Sequence, residues 1–473
     1  MANGLVILQS QVGLTDPHVV NDNADSLNIL NNLFEPLVRW TRDGFRPCLA
    51  RSWHVGEDAR TWEFSLRAGV KFHDGTTLAA EDVVASLERA RSPDVGGVLG
   101  TEGLFHGYLG DAVIAIVDRH VVRLVTAEPM ADVLDLMASI PILPAAAMDA
   151  VLENPVGSGP YRLHDDAGWT VTMVAHGDHW QSRPPAFDRL AWKVESDPAQ
   201  GLRQLQLGEA DIVTGVSHEM GLCMEADERT RLQTAPSNVC TVFMCNLLQG
   251  VCTDTRVRQA LNYGFDQSLL IDRVTHGSAL SLAGPLTVKH TGHDPAVAPY
   301  PHDPGKAREL LAEAGWGQGM SLVLDVPLEL PDEAVELASF LAQQYARIGI
   351  ETEIATHADR PAYAQQVKAK AIRDACCFDS SPISTFRALR EKFHGGLKGP
   401  WWLGYGNESL DRTLNLAQAT VDPDRRRQLY RSAYRTLHAD APWIYLYNQL
   451  DRWGLSPRLA DWQPTVDGLI FVA

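Results

Sequence analysis

The chain has 473 residues, 45% of them hydrophobic and 21% charged, with a formal net charge of -18. That length exceeds one compact core and predicts two or more lobes, and the balance is that of an ordinary globular protein, neither disordered nor fibrous. The acidity argues against nucleic acid as a partner and against a polybasic membrane anchor, since both need clustered Lys and Arg.

From Met1 the chain enters a strand-like run almost at once, with no signal peptide, and no stretch of about 18 apolar residues marks a membrane span. Two locations stay open at this point: the cytoplasm, or an exported protein read from its mature start. Trp62, Phe64 and Leu66 alternate with polar residues, which predicts a half-buried strand. Trp169, Val171 and Met173 repeat the pattern, as do Leu322, Leu324 and Val326. Asp303-Pro304 reads as a cap followed by the first helical position, and Ala307, Leu310, Leu311 and Ala314 then follow helical spacing up to Gly315. A second helix carries Ala334, Leu337, Ala338, Leu341, Tyr345 and Ile348 on one face and stops at Gly349. A third starts at Asp422-Pro423 and runs through Leu429, Tyr430 and Leu437. Strands and helices alternate irregularly, which predicts mixed α/β lobes. No Pro/Ser/Gly-rich linker divides the chain, so ordered strands are expected to join the lobes.

The seven cysteines are too few for a disulfide-dense scaffold, and none forms a CxxC pair. Adjacent Cys376 and Cys377 are expected to face opposite sides of a strand as small buried hydrophobes. The sequence holds no P-loop, no GxSxG and no HExxH. Val156-Gly157-Ser158-Gly159-Pro160 only resembles a nucleophile elbow, and its glycines are expected to supply a positive-φ turn. His176 and His179 are read as lying in a solvated loop. Trp401 and Trp402 sit in a loop-like stretch as core packing or as the wall of a pocket. No nucleophile, metal or cofactor motif supports an enzyme.

Leu49-Ala50-Arg51-Ser52-Trp53, Thr61-Trp62-Glu63-Phe64-Ser65-Leu66-Arg67 and Gly69-Val70-Lys71-Phe72-His73-Asp74-Gly75-Thr76 form one long pattern with Ala80-Glu81-Asp82-Val83. It extends to Glu35-Pro36-Leu37, Pro155 to Tyr161, His179-Trp180, Gly208-Glu209-Ala210-Asp211-Ile212 and Asp254 to Tyr263. The whole resembles the extracellular solute-binding proteins of family 5, the binding components of dipeptide, oligopeptide, nickel and opine ABC importers. The resemblance implies an α/β, two-lobed periplasmic binding protein fold of type II, the large peptide- and nickel-binder class, with a hinge between lobes. The first lobe would hold residues 1-244, with an extra subdomain at about 38-155, and the return segment 449-473; the second would hold 245-448. The implied function is capture of a small polar solute by hinge closure and delivery to a membrane permease. The implied location is periplasmic or lipid-anchored extracellular, the implied state a monomer with no cofactor and no resident metal. Arg256 and Arg258, inside one motif, are read as structural ion-pairing groups.

Peptide binders of the family resemble one another around a Trp-x-x-Asp-x-x-x-Pro stretch, whose Asp holds the peptide's amino group. In the comparable segment Ala375 to Pro382, Phe378 takes the place of that Asp, and Asp379 falls one position on, facing the other side of a strand unless a bulge intervenes. This points away from an ordinary peptide and towards a modified peptide or an opine-like conjugate. A nickel or metal-chelate solute is the alternative, for which His106 and His394 are noted although both read as surface residues; a ligand-sensing receptor is another. By analogy with the family the ligand-binding residues are expected among Asp22, Asn23, His106, Phe378, Asp379, Arg387 and Trp402. Asp22 and Asp379 would hold a cation, Arg387 a carboxylate or phosphate, and the aromatic groups would stack on the solute.

Overall fold

The computed structural model describes residues 3–20, 23–96, 103–181, 183–329 and 331–472. The chain divides into two compact units, Met1–Ala235 with Asp451–Ala473, and Pro236–Leu450. It passes from one to the other inside two continuous strands, Arg231–Cys245 and Trp443–Leu455.

The first unit is built on the strand Gly4–Gln9. It pairs in parallel with Arg189–Val194 on one side and Ile212–Val213 on the other. Arg189–Val194 continues antiparallel into Thr170–Ala175 and then Tyr161–Asp166. The C-terminal segment returns to this sheet, with Leu455 opposite Ile212. It is tied to the helix Ala24–Leu33, where buried Asn32 donates to the Ile470 carbonyl at 2.8 Å and Asn28 accepts from the Ile470 amide at 2.8 Å. A separate four-stranded sheet joins Ala50–Val55, Thr61–Leu66, Val121–Val125 and Val113–Asp118. The expected inward residues Trp62, Phe64 and Leu66 are all buried there. Val171 and Met173 are buried too, but Trp169 is 70% exposed. It stands in the turn before its strand, next to Gly168 at φ 82, so the alternation began one residue too early.

The second unit places Met320–Pro327 parallel to Ile350–His357 and to Ala375–Ser380. Ala375–Ser380 pairs antiparallel with Cys240–Cys245. Leu322, Leu324 and Val326 enter a core covered by the helices Thr255–Tyr263, Pro304–Glu313 and Ala334–Ala346. The three expected helices are present, and two begin on aspartate caps: Asp303 accepts from the Lys306 amide at 2.8 Å and Asp422 from the Arg425 amide at 2.7 Å. Arg256 pairs with Asp254 at 2.6 Å. Arg258 differs from the ion-pair expectation. It is buried and donates to the carbonyls of Cys252, Thr253, Asp440 and Ala441, which ties one helix start to the end of the helix Pro423–Asp440. Cys376 and Cys377 are both buried in their strand, and no cysteine forms a disulfide among the described residues.

One network accounts for several motifs of the first unit at once. The Glu35 carboxylate is 1% exposed. It accepts from Ser158 Oγ at 3.0 Å, Trp180 Nε1 at 2.9 Å and His179 Nε2 at 3.3 Å, with Arg39 at 3.7 Å and the Cys48 thiol at 3.7 Å. Burial alone would raise its pKa, but His179, Arg39 and Trp180 together hold it below the usual range. His73 packs edge-on to His176, whose ring in turn meets that of His179. His73 accepts from the Gly157 amide at 3.2 Å on Nδ1, and its Nε2 lies 3.1 Å from the Gly159 carbonyl, an arrangement that suits neutral imidazole. Burial lowers its pKa to about 4. Two expectations are corrected here. His176 and His179 are buried, not in a solvated loop. Gly157 and Gly159 do not adopt positive φ; their α-carbons lie against the backbone of Leu33, where a Cβ would collide with the Leu33 carbonyl. Gly75, by contrast, does adopt positive φ, at 88° in the turn that His73-Asp74 opens.

Removing a buried carboxylate strands the donors and the charge arranged around it. Glu35→Ala is therefore expected to destabilise the first unit by about 3–5 kcal/mol, measured by urea unfolding followed through tryptophan fluorescence. A change within about 0.5 kcal/mol, the range of an ordinary surface substitution, would contradict this account.

Candidate functional site

The strand Ala375–Ser380 organises the chemistry of the second unit. Its pairing with Cys240–Cys245 runs without a break, from Ala375 opposite Cys245 to Ser380 opposite Cys240. No bulge shifts Asp379, so Phe378 and Asp379 project to opposite faces of the sheet. Both stand at the carboxyl end of a strand that runs parallel to Met320–Pro327, the end at which α/β sheets present ligand-binding groups.

On one face, Asp379 sits opposite Thr241 and accepts its hydroxyl at 2.7 Å. Gln449 Nε2 lies at 3.4 Å from the other carboxylate oxygen and also donates to Thr241 Oγ1 at 3.1 Å. Glu333, which precedes the helix Ala334–Ala346, accepts the buried Tyr447 hydroxyl. The hydrogen-bond partners of Asp379 are thus neutral. Burial raises its pKa to about 6; the Glu333 charge pushes the same way, while Thr241, Arg360 and Gln449 oppose it. A half-buried carboxylate with neutral donors and a second carboxylate nearby is a site where an incoming ammonium would be stabilised.

On the other face, Phe378 packs against Trp401 with ring centroids 4.7 Å apart. The Arg360 guanidinium lies 5.7 Å from the Phe378 ring and 5.6 Å from that of Tyr363. Lys368 stands 5.7 Å from the Trp401 ring. This makes an aromatic shelf with cations over its rings. Tyr363 fixes the shelf to the strand by donating to the Cys377 carbonyl at 2.8 Å.

The remaining expected residues occupy separate places. Arg387, on the helix Thr385–Phe393, meets a carboxylate of its own chain, Glu391, at 3.1 Å. Trp402 donates its indole N–H to the Tyr405 carbonyl at 2.6 Å and carries Lys398 at 5.4 Å from its ring. In the first unit, Asn23 caps the helix Ala24–Leu33 by accepting from Ser26 at 3.0 Å. His106 opens a short turn and its Nδ1 lies 3.2 Å from the Arg91 carbonyl. Asp22 lies outside the described residues. His394, read from sequence as a surface residue, is buried against Asn415 at 3.0 Å. Sequence reasoning did not find Thr241, Glu333, Tyr447 or Gln449. Each is remote in sequence from Asp379, and no local pattern marks them.

Because the folded-state pKa of Asp379 lies above its usual 3.8, the unfolded chain holds fewer protons there between about pH 4 and 6. The ionised form is thus a cost to stability that is fully present above pH 6 and disappears below pH 4. Asp379→Asn is expected to stabilise the unliganded protein at pH 7 by roughly 2–3 kcal/mol and to be neutral at pH 4. Urea unfolding of both proteins at the two pH values checks this, and a destabilised variant at pH 7 would refute it.

Residues 44–384 match the family model of bacterial extracellular solute-binding proteins, family 5. The glutathione-binding protein GsiB of Pectobacterium atrosepticum is 29% identical over 451 residues, 91% of this chain and 85% of the relative. Among solved structures, HbpA2 from Haemophilus parasuis aligns over 99% of this chain and 98% of its own, with 20% identity and a TM-score of 0.85. The periplasmic binding protein AgaA in complex with agropinic acid, from A. tumefaciens R10, aligns over 96% of this chain and 93% of its own, with 24% identity and a TM-score of 0.76. These likenesses establish the periplasmic binding protein fold. With the family model matching most of its length and the same fold in these relatives, the chain belongs to the bacterial extracellular solute-binding proteins of family 5, the substrate-binding components of ABC importers.

Proposed function

We propose that this chain captures a small modified peptide of the glutathione class and delivers it to a membrane permease. Such a solute carries one ammonium and two carboxylates on a compact body. The observation that carries this reading is Asp379: a half-buried carboxylate whose hydrogen-bond partners, Thr241 and Gln449, are both neutral. An ammonium would complete that site, and Glu333 adds a second negative charge beside it. The aromatic shelf of Phe378 and Trp401 would cover the solute's apolar surface, with Arg387 and Trp402 of the same unit as further contacts. Hinge motion would occur in the two strands that link the units. The names of the curated relatives support the same solute class.

The reading is tested by calorimetric titration at pH 7.5 with glutathione, agropinic acid, alanyl-alanine and nickel-histidine. Glutathione is expected to bind with a Kd of about 1 μM or below, near -8 kcal/mol. Asp379→Asn is expected to weaken it by about 10- to 100-fold, the loss of one charge-assisted hydrogen bond. Binding of alanyl-alanine as tight as that of glutathione, or an unchanged Kd in the variant, would sink the proposal.

A further inference from the structure

The four-stranded sheet of the first unit ends on the strand Val113–Asp118, which pairs with Val121–Val125 and, among the described residues, with no other strand. Its free side is an edge along which alternate backbone N–H and C=O groups point away from the sheet. Edges of this kind ordinarily carry charge or proline, which discourage a further strand from adding. The opposite edge of the same sheet, Ala50–Val55, follows that rule with exposed Arg51 and His54. The edge at Val113 does not. Val113-Ile114-Ala115-Ile116-Val117 holds neither charge nor proline, and Val113, Ile116 and Val117 are 63%, 45% and 47% exposed. A bulge between Ile116 and Asp118 lies at the far end and leaves Val113 to Ile116 in regular pairing.

The edge is held in place and flanked by charge. Arg91, which follows the helix Ala80–Ala90, donates to the Leu109 carbonyl at 2.9 Å and to that of Ala112, and so fixes the chain as it enters the strand. Asp111 stands before the strand and Arg119 after it. Both are exposed, and no ion pair engages either one among the described residues. In an antiparallel pair of strands, opposite side chains lie on the same face. A two-fold axis through Ala115 sets Val113 opposite Val117 and Ile114 opposite Ile116 of a second copy, and brings Asp111 beside Arg119 at both ends. Moving the axis to Ile114 or Ile116 parts the opposite charges. The edge is thus complementary to itself in one register, by backbone, by apolar side chains and by charge.

We propose that this edge pairs with the same edge of a second copy of the chain, forming a two-fold dimer with one antiparallel strand pair at its centre. The contact is isologous and closes on two copies. It uses residues of the first unit alone and is independent of the solute and of Asp379. One strand pair with two exposed ion pairs is a small interface, so the dimer is expected to be weak, with a Kd of about 10–100 μM.

The test is sedimentation velocity of the full chain over a concentration series from about 5 to 300 μM, which spans that Kd. Wild type is expected to pass from monomer to dimer, and a monomer throughout overturns the proposal. Growth beyond two copies also overturns it, because a two-fold edge contact cannot propagate. Ala115→Lys sets two ammonium groups against each other at the axis. It is expected to abolish the dimer while keeping the monomer's Tm within about 2 °C of wild type. A dimer that survives this change overturns the proposal. Asp111→Arg and Arg119→Asp each bring like charges together and are each expected to weaken association at least about 5-fold. The double variant restores both ion pairs in the reverse sense and is expected to return to within about 2-fold of wild type. A double variant as weak as either single change overturns the register and with it the proposal. These two exposed positions lie outside the strand, so the charge exchange decides the matter if Ala115→Lys does not fold.

Discussion

A carboxylate withdrawn from water must be supplied with donors or it takes up a proton, and in the first unit that requirement falls on Glu35. Its donors come from segments far apart in sequence: Ser158 from one loop, His179 and Trp180 from another, Arg39 and Cys48 from the segments that follow it. The loops must approach closely for these bonds to form. Gly157 and Gly159 permit this by bringing their backbone against Leu33, with the Gly159 amide donating to the Leu33 carbonyl at 2.9 Å. His73, held neutral between Gly157 and Gly159, ties the turn at Gly75 to the same point. The helix Ala24–Leu33 ends just before Glu35, and its asparagines hold the C-terminal segment. One buried charge thus sets the positions of a helix, three loops and, through the helix, the chain's return.

The second unit uses buried charge differently. Asp325 shows the structural mode: it is buried and fully matched, with His357 at 2.8 Å and the Arg373 amide at 2.8 Å, and its pKa is lowered. Burial would raise that pKa, but the bonds from Arg373 and His357 outweigh it. Asp379 is the opposite case. Its neutral donors do not outweigh burial, and its pKa rises. Two aspartates on neighbouring parallel strands therefore differ in the sign of their shift, and the difference follows from charged partners at one and neutral donors at the other. At Asp379 the ionised form is therefore a cost to stability.

Much of the fold was legible because its signals are local. Asp303-Pro304 and Asp422-Pro423 specify helix starts through a cap and a fixed φ within four residues, and Leu322, Leu324 and Val326 specify a strand face through alternation alone. The errors share one cause. Gly157, Gly159, His176, His179 and His394 each look like loop residues over a short window, and each takes its actual role from a contact many residues away. Trp169 failed for a local reason, since alternation does not show where a hairpin turn ends. The site divides the same way. The opposite facing of Phe378 and Asp379 was legible because they lie in one strand segment with a recognisable pattern. Thr241, Glu333 and Gln449 were not, because strand pairing and helix packing alone bring them to Asp379.

The sequence pattern by which this chain resembles its family therefore reports on construction more than on cargo. Glu35, His73, Ser158, His179 and Trp180 build a scaffold, and a scaffold of this kind does not by itself choose a solute. In the second unit, by contrast, Asp379 is a charged group at the end of a strand that holds only neutral hydrogen-bond donors. Moving the carboxylate by one residue, from position 378 to 379, leaves the strand pairing intact while transferring the charge to the opposite face and placing an aromatic ring where it would have been. A change that small costs the fold little, since both residues remain in a regular ladder, yet it reverses which face of the strand carries charge. The packing that sets the geometry of the strand and the charge it presents are thus carried by different residues.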